Sequence, residues 1–131
     1  KNSIKDYLIN KGNEVTDHGA YEYDALDDYP DFIFPCARAV ASDPLSRGII
    51  LGGSGQGEAM AANRVKGVRA AVFYNGPIDI IKLSREHNNA NILSIGARFM
   101  SEDEIRSVLD VWFNEPFGGG RHQRRIDKLD L

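Results

Sequence analysis

The residues best suited to chemistry lie in Gly52-Gly53-Ser54-Gly55-Gln56-Gly57-Glu58. A short apolar run, Gly48-Ile49-Ile50-Leu51, precedes them, and Ala59-Met60-Ala61-Ala62-Asn63-Arg64 follows. That order reads as buried strand, glycine turn and helix, the helix running over 58–65. Glycine lets the backbone take φ > 0 and approach a ligand closely. A helix start offers free N–H groups and a positive dipole end to an anion. Glu58 falls in the first helical turn, either as a carboxylate that favours the dipole or as a general base. Ser54 is a ligand contact or a turn-favouring residue. The spacing superficially resembles a dinucleotide fingerprint, but Phe73-Tyr74-Asn75 stands about 20 residues on, where an acidic residue is required. The Gly-Lys-Ser/Thr ending of a nucleotide phosphate loop is also absent.

A second set of polar groups comes later. His87 sits in Arg85-Glu86-His87-Asn88-Asn89, as an acid or as a helix C-terminal cation. Gly120-Arg121-His122-Gln123-Arg124-Arg125 concentrates donors that suit a phosphate or carboxylate, since arginine binds both bidentately. Arg98 follows the last expected strand and adds to an anion site. His18, in Asp17-His18-Gly19, reads as structural.

These groups need a scaffold. Glycine-loop turns and the apolar runs Arg47–Leu51, Arg69–Tyr74 and Asn91–Ile95 alternate with helical patterns. The runs lack period-2 alternation, the mark of a parallel sheet covered on both faces. A further short strand is expected over Glu14–Thr16. Helices are expected near Ile4–Leu8, with Gly12 as C-cap, and from Pro30, with Phe32, Cys36 and Val40 on one stripe and Ala37 beside them. Another follows Asn75-Gly76-Pro77, carrying Ile78 and Ile81. A last long one opens on a Ser101/Glu104 capping box and buries Ile105, Val108, Leu109 and Trp112. In open α/β sheets ligands bind beyond the carboxyl ends of the strands. The glycine loop, His18, His87 and Arg98 are accordingly expected on one rim.

The 131 residues make one domain, with 42% hydrophobic and 27% charged residues. A net charge of −3 gives no general pull toward nucleic acid or anionic membrane. The lone Cys36 excludes an internal disulfide and fits a reducing cytoplasm. No apolar run spans a bilayer, and no His/Cys cluster has metal-ligand spacing.

Taken together, Tyr23-Asp24, Asp27-Asp28-Tyr29-Pro30, Gly52 to Asn63, Arg85 to Asn89, Gly96 with Arg98, and Gly119 to Arg125 resemble the ribose-5-phosphate isomerase B family. That family also contains related sugar-phosphate isomerases. The matches cover nearly the whole chain in order. The resemblance implies a three-layer α/β/α Rossmann-like sandwich and a homodimer, or a tetramer, with active sites shared between subunits. It implies interconversion of aldose and ketose phosphates in pentose phosphate metabolism, without metal or cofactor.

By that resemblance Glu58 is the proton acceptor, as in a branch with a glutamate base. The cysteine base of many members would stand at Gly52 and is absent here. Ser54 and the backbone of Gly53, Gly55, Gln56 and Gly57 would hold the enediolate. His87 would assist ring opening and Asn88 would bind the sugar. Arg98, Arg121 and Arg125, beside His122, would hold the phosphate. Residues 118–131 would form a dimerisation and phosphate-binding segment.

The family begins with a strand ending in an Asp-His pair, lying between the second and third strands of the sheet, and this sequence has neither. Lys1 to Leu8 already reads as the middle of a helix. The expectation is a natural protein longer by roughly 15–20 residues, about one strand and a helix turn or two. Ribose 5-phosphate is the leading substrate. A hexose 6-phosphate such as that of allose or galactose, and a non-catalytic sugar-phosphate binder, are the alternatives.

Overall fold

The computed structural model describes residues 1–130 of the chain. Its core is a three-stranded parallel sheet of β1 (Gly48–Gly52), β2 (Ala70–Phe73) and β3 (Ile92–Gly96), in the order β1-β3-β2. Gly48 pairs with Ile92 and Gly52 with Gly96, while Ala70 also pairs with Ile92. All three strands therefore start at one rim and end at the other.

Helices cover both faces. On one side α1 (Asn2–Asn10), α4 (Asp79–Glu86) and α5 (Glu102–Asn114) pack on the sheet. Their contact is a core of Ile4, Leu8, Ile81, Ile105, Leu109 and Trp112 against Phe73, Leu93 and Ile95. On the other side α2 (Pro30–Ser42) and α3 (Gln56–Ala62) bring Ile33, Ala37, Val40 and Ala62 onto Ile50 and Ile92. Successive β3 residues serve opposite faces, as the pleat requires, and every β3 residue is buried. The central strand of a covered parallel sheet has no solvent face, which is why Ile92–Ile95 carries no polar alternation.

The capping box at Ser101 is formed: Glu104 N donates to Ser101 Oγ at 3.1 Å and Ser101 N to Glu104 Oε1 at 3.1 Å. Such caps contribute about 0.5–2 kcal/mol. A final helix, α6 (Arg121–Ile126), follows a glycine-rich link. Leu131, the last residue of the expected C-terminal segment, lies outside the described residues. No helix among the described residues is long and apolar enough to cross a membrane.

Two expectations change. Glu14–Thr16 joins no ladder. A strand exists by pairing, and no described strand runs beside this one. Between it and β1 lies a cavity of about 700 Å³, lined also by α1 and α2. On α2 the inward stripe is Ile33, Ala37 and Val40. Phe32 and Cys36 are only half-buried and line that cavity.

Candidate active site

The glycine loop leaves the carboxyl end of β1 and turns into α3. Gly55 sits at φ +77 as the residue before the helix, and only glycine holds that left-handed region without strain. Ser94 Oγ, fully buried on β3, donates to Gly55 O at 2.6 Å and ties the loop to the central strand. Arg98 N donates to Gly53 O at 3.2 Å and closes the loop's other side. Ser54 Oγ accepts from Gln56 N at 3.2 Å, so the hydroxyl shapes the turn.

Glu58 is in the first turn of α3, and its carboxylate folds back over Gly52, occupying the space a Cβ there would need. The carboxylate thus faces the loop. The Arg98 guanidinium lies over Gly53, with Nη2 3.0 Å from the position a Cβ would take. The Tyr29 hydroxyl lies over Gly57, 2.6 Å from the equivalent point. Tyr74 and Phe99, both exposed, meet at this same rim with ring centroids 5.9 Å apart and planes tilted by 56°. Gln56 is exposed at its edge. The carboxyl rim therefore brings a carboxylate, a guanidinium and a phenol against the backbone of the glycine loop. The lone thiol is elsewhere: Cys36 packs against Gly48, at the far end of β1, and burial pushes its pKa up.

His87 is not on that rim. It caps the C-terminus of α4, and Asn88 to Asn91 lead from it into the start of β3. A helix joining parallel strands carries the chain back to the amino end of the sheet. His87 and Asn88 are therefore at the amino rim, a strand length away, roughly 13 Å at 3.3 Å per residue. The expected convergence of the glycine loop, His87 and Arg98 on one rim of one chain is corrected accordingly.

A second polar cluster forms around His87. Its ring stacks on that of His122 at 4.3 Å with 17° between planes. Gly118 N donates to Glu86 O at 2.9 Å, which docks α6 beside the end of α4. Arg121 and Arg125, both exposed, are the neighbouring cations. Desolvation against its neighbours lowers the His122 pKa, and His87, Arg121 and Arg125 lower it further; Glu86 opposes them. Glu86 Oε1 lies 3.9 Å from His87 Nε2. His18 borders the large cavity instead.

The candidate residues thus divide in two. Ser54, Glu58, Arg98 and the loop Gly53, Gly55, Gln56, Gly57 form one group, and His87, Asn88, Arg121, His122 and Arg125 the other. Sequence reasoning gave no role to Tyr29, Tyr74, Ser94 or Phe99. Tyr29 was visible within the Asp-Asp-Tyr-Pro stretch, but nothing local signals that Tyr74 meets Phe99.

The family model described as Ribose/Galactose Isomerase matches residues 1–129. The chain belongs to this family. Ribose-5-phosphate isomerase B of Mycolicibacterium paratuberculosis is 43% identical over 130 residues, covering 98% of this chain and 80% of the relative. Its namesake from Mycobacterium tuberculosis strain H37Rv is 44% identical, with 98% and 79% covered. Among solved structures, ribose-5-phosphate isomerase B from Mycoplasma genitalium with bound ribulose-5-phosphate superposes with TM-score 0.92 at 42% identity, covering 98% of this chain and 84% of that one. The Clostridium thermocellum protein of the same name gives 0.91 at 42% identity, with 98% and 85% covered. The three-layer parallel fold is that of these ribose/galactose isomerase family members.

Proposed function

We infer that this chain is an aldose–ketose isomerase that interconverts ribose 5-phosphate and ribulose 5-phosphate. The observation that carries the mechanism is the Glu58 carboxylate seated over Gly52 and facing the glycine loop. Isomerisation moves a proton between adjacent carbons and leaves negative charge on oxygen. It needs a base, fixed donors for the enediolate and an anchor for the phosphate. Glu58 takes the proton from one carbon and returns it to the next. Amides of Gly53 to Gly57 and the Ser54 hydroxyl stabilise the oxyanion.

The acid and the remaining phosphate ligands come from a second copy. Groups that serve one sugar must each approach it to about 3 Å. His87, Asn88, Arg121 and Arg125 lie at the wrong rim to reach the sugar held by their own Glu58. In a two-fold homodimer the amino rim of one protomer meets the carboxyl rim of the other, which creates two equivalent sites. Exposed Ile80 and Leu83 on α4, with Tyr74 and Phe99, supply apolar surface for that contact. His87 of one protomer then protonates the ring oxygen of the sugar held by the other's Glu58, as the bond from that oxygen to C1 breaks and the C1 hydroxyl yields its proton to water, leaving the open-chain aldehyde. Arg121 and Arg125 grip the phosphate together with Arg98. The segment 118–130 is thereby both a phosphate arm and a dimer contact. Cytoplasmic pentose phosphate metabolism is the setting this reading assigns.

The test is turnover of ribose 5-phosphate, run beside allose and galactose 6-phosphates. Glu58→Gln should remove about 10²–10⁴ of the rate and keep sugar-phosphate binding. Binding with no turnover in the unaltered chain would instead support a non-catalytic binder, and preference for a hexose phosphate would move the substrate within the same mechanism.

A further inference from the structure

Arg85 is a buried cation without a carboxylate. Only 5% of its surface is exposed, and no acidic side chain among the described residues pairs with it. Burial, with Arg47 and Arg69 nearby, lowers its pKa to about 10. Burying a charge is costly unless its hydrogen bonds are met, and Arg85 meets them with neutral oxygens from two separate segments. Nη1 donates to Asn89 Oδ1 at 2.8 Å and to Ala90 O at 2.7 Å. Nε donates to Glu115 O at 3.2 Å. The first two acceptors belong to the corner that carries His87 and Asn88. The third is the exit of α5, from which the chain runs to Gly118 and on to α6.

The corner needs such a clamp. Asn89 holds φ +46, and Arg69 Nε donates to Asn89 O at 2.8 Å from the other side. Beyond that, the Gly118–Glu86 hydrogen bond and the His87–His122 stack tie the arm that carries α6 to the end of α4.

We propose that Arg85 is a positioning residue for the isomerase reaction, its guanidinium locking the His87–Asn88 corner to the segment that carries Arg121, His122 and Arg125. It touches no substrate. It makes the ring-opening acid and the phosphate arginines one rigid unit, which arrives whole at the partner's glycine loop. Lysine keeps the charge but not the planar fork that reaches both segments at once. This inference rests on the isomerase reading above.

The experiment compares Arg85→Lys with the unaltered chain. Melting curves establish folding, steady-state kinetics separate kcat from KM, and NMR reads the ring protons of His87 and His122. The expected variant folds, loses on the order of 10²-fold in kcat/KM through a lower kcat and a higher KM together, and shows imidazole shifts that leave their stacked positions. Simple destabilisation would lower kcat through less folded protein and leave KM and the shifts unchanged. A folded Arg85→Lys with unaltered KM and unaltered imidazole shifts overturns the proposal. Should that variant not fold, Asn89→Gly removes one acceptor, tolerates the left-handed backbone, and is read by the same criteria. An unaltered chain with no turnover sinks the isomerase reading, while the imidazole shifts still decide whether Arg85 holds the corner.

Discussion

The carboxylate of Glu58 and the α-carbon of Gly52 are in direct apposition, so that a side chain at 52 and the observed pose of Glu58 exclude each other. Gly52→Ala should therefore displace the base and leave the sheet intact. We expect kcat to fall by about 10²-fold, the cost of a misplaced catalytic group, with only a small change in melting temperature. Kinetics and a thermal melt on the same sample check this. Full activity would show that Glu58 works from another position.

Mixing two inactive variants tests the shared site. Glu58→Gln damages only the carboxyl rim and His87→Gln only the amino rim. A mixed dimer contains one site with both halves intact. Statistical reassembly should return about a quarter of the native turnover from the two silent parents. Absence of any recovery, with mixed dimers shown to form, would contradict the two-rim arrangement.

Acid should loosen α6. The folded-state pKa of His122 lies below its unfolded value, because packing and nearby cations disfavour the imidazolium. The unfolded chain thus binds more protons as pH falls through about 6.5, the ordinary imidazole value. The contribution is fully present above that pH and is lost on descending toward the folded-state pKa. NMR titration should place the His122 midpoint below that ordinary value, with the stacked signals dispersing over the same range. A midpoint above it would contradict the geometry.

Cys36 should be dispensable for chemistry. Its thiol packs against Gly48 at the opposite end of β1 from Glu58, and burial keeps it protonated. Cys36→Ala is expected to leave kcat/KM unchanged and to cost about 1 kcal/mol or less in stability, for the small half-buried group removed. Thiol reagents should react slowly and without loss of turnover once the excess is removed.

Much of this was legible in the residues. The apolar runs around Ile50, Val72 and Leu93 announced a covered parallel sheet. The spacing of Ile105, Val108, Leu109 and Trp112 announced the buried face of α5, and the glycine run announced the turn before α3. The rim of His87 was misjudged because helix ends were grouped with strand ends. The signal was available: a residue that closes a helix and precedes a strand belongs at the amino side. The Glu14–Thr16 pattern is sound, yet pairing needs a neighbour that the pattern does not contain. On α2 the inward stripe turned by one residue, because Phe32 and Cys36 border the open cavity while Ile33 and Ala37 meet β1. Arg85 was invisible as a clamp, since its acceptors, Asn89, Ala90 and Glu115, are fixed only by the fold.

On the proposed two-copy mechanism, the separation of Glu58 and His87 by the length of β3 makes catalytic competence a property of association. An isolated protomer would be well folded and chemically silent. Turnover per chain should fall on dilution below the dissociation constant, recover on concentration, and leave the circular dichroism spectrum unmoved throughout.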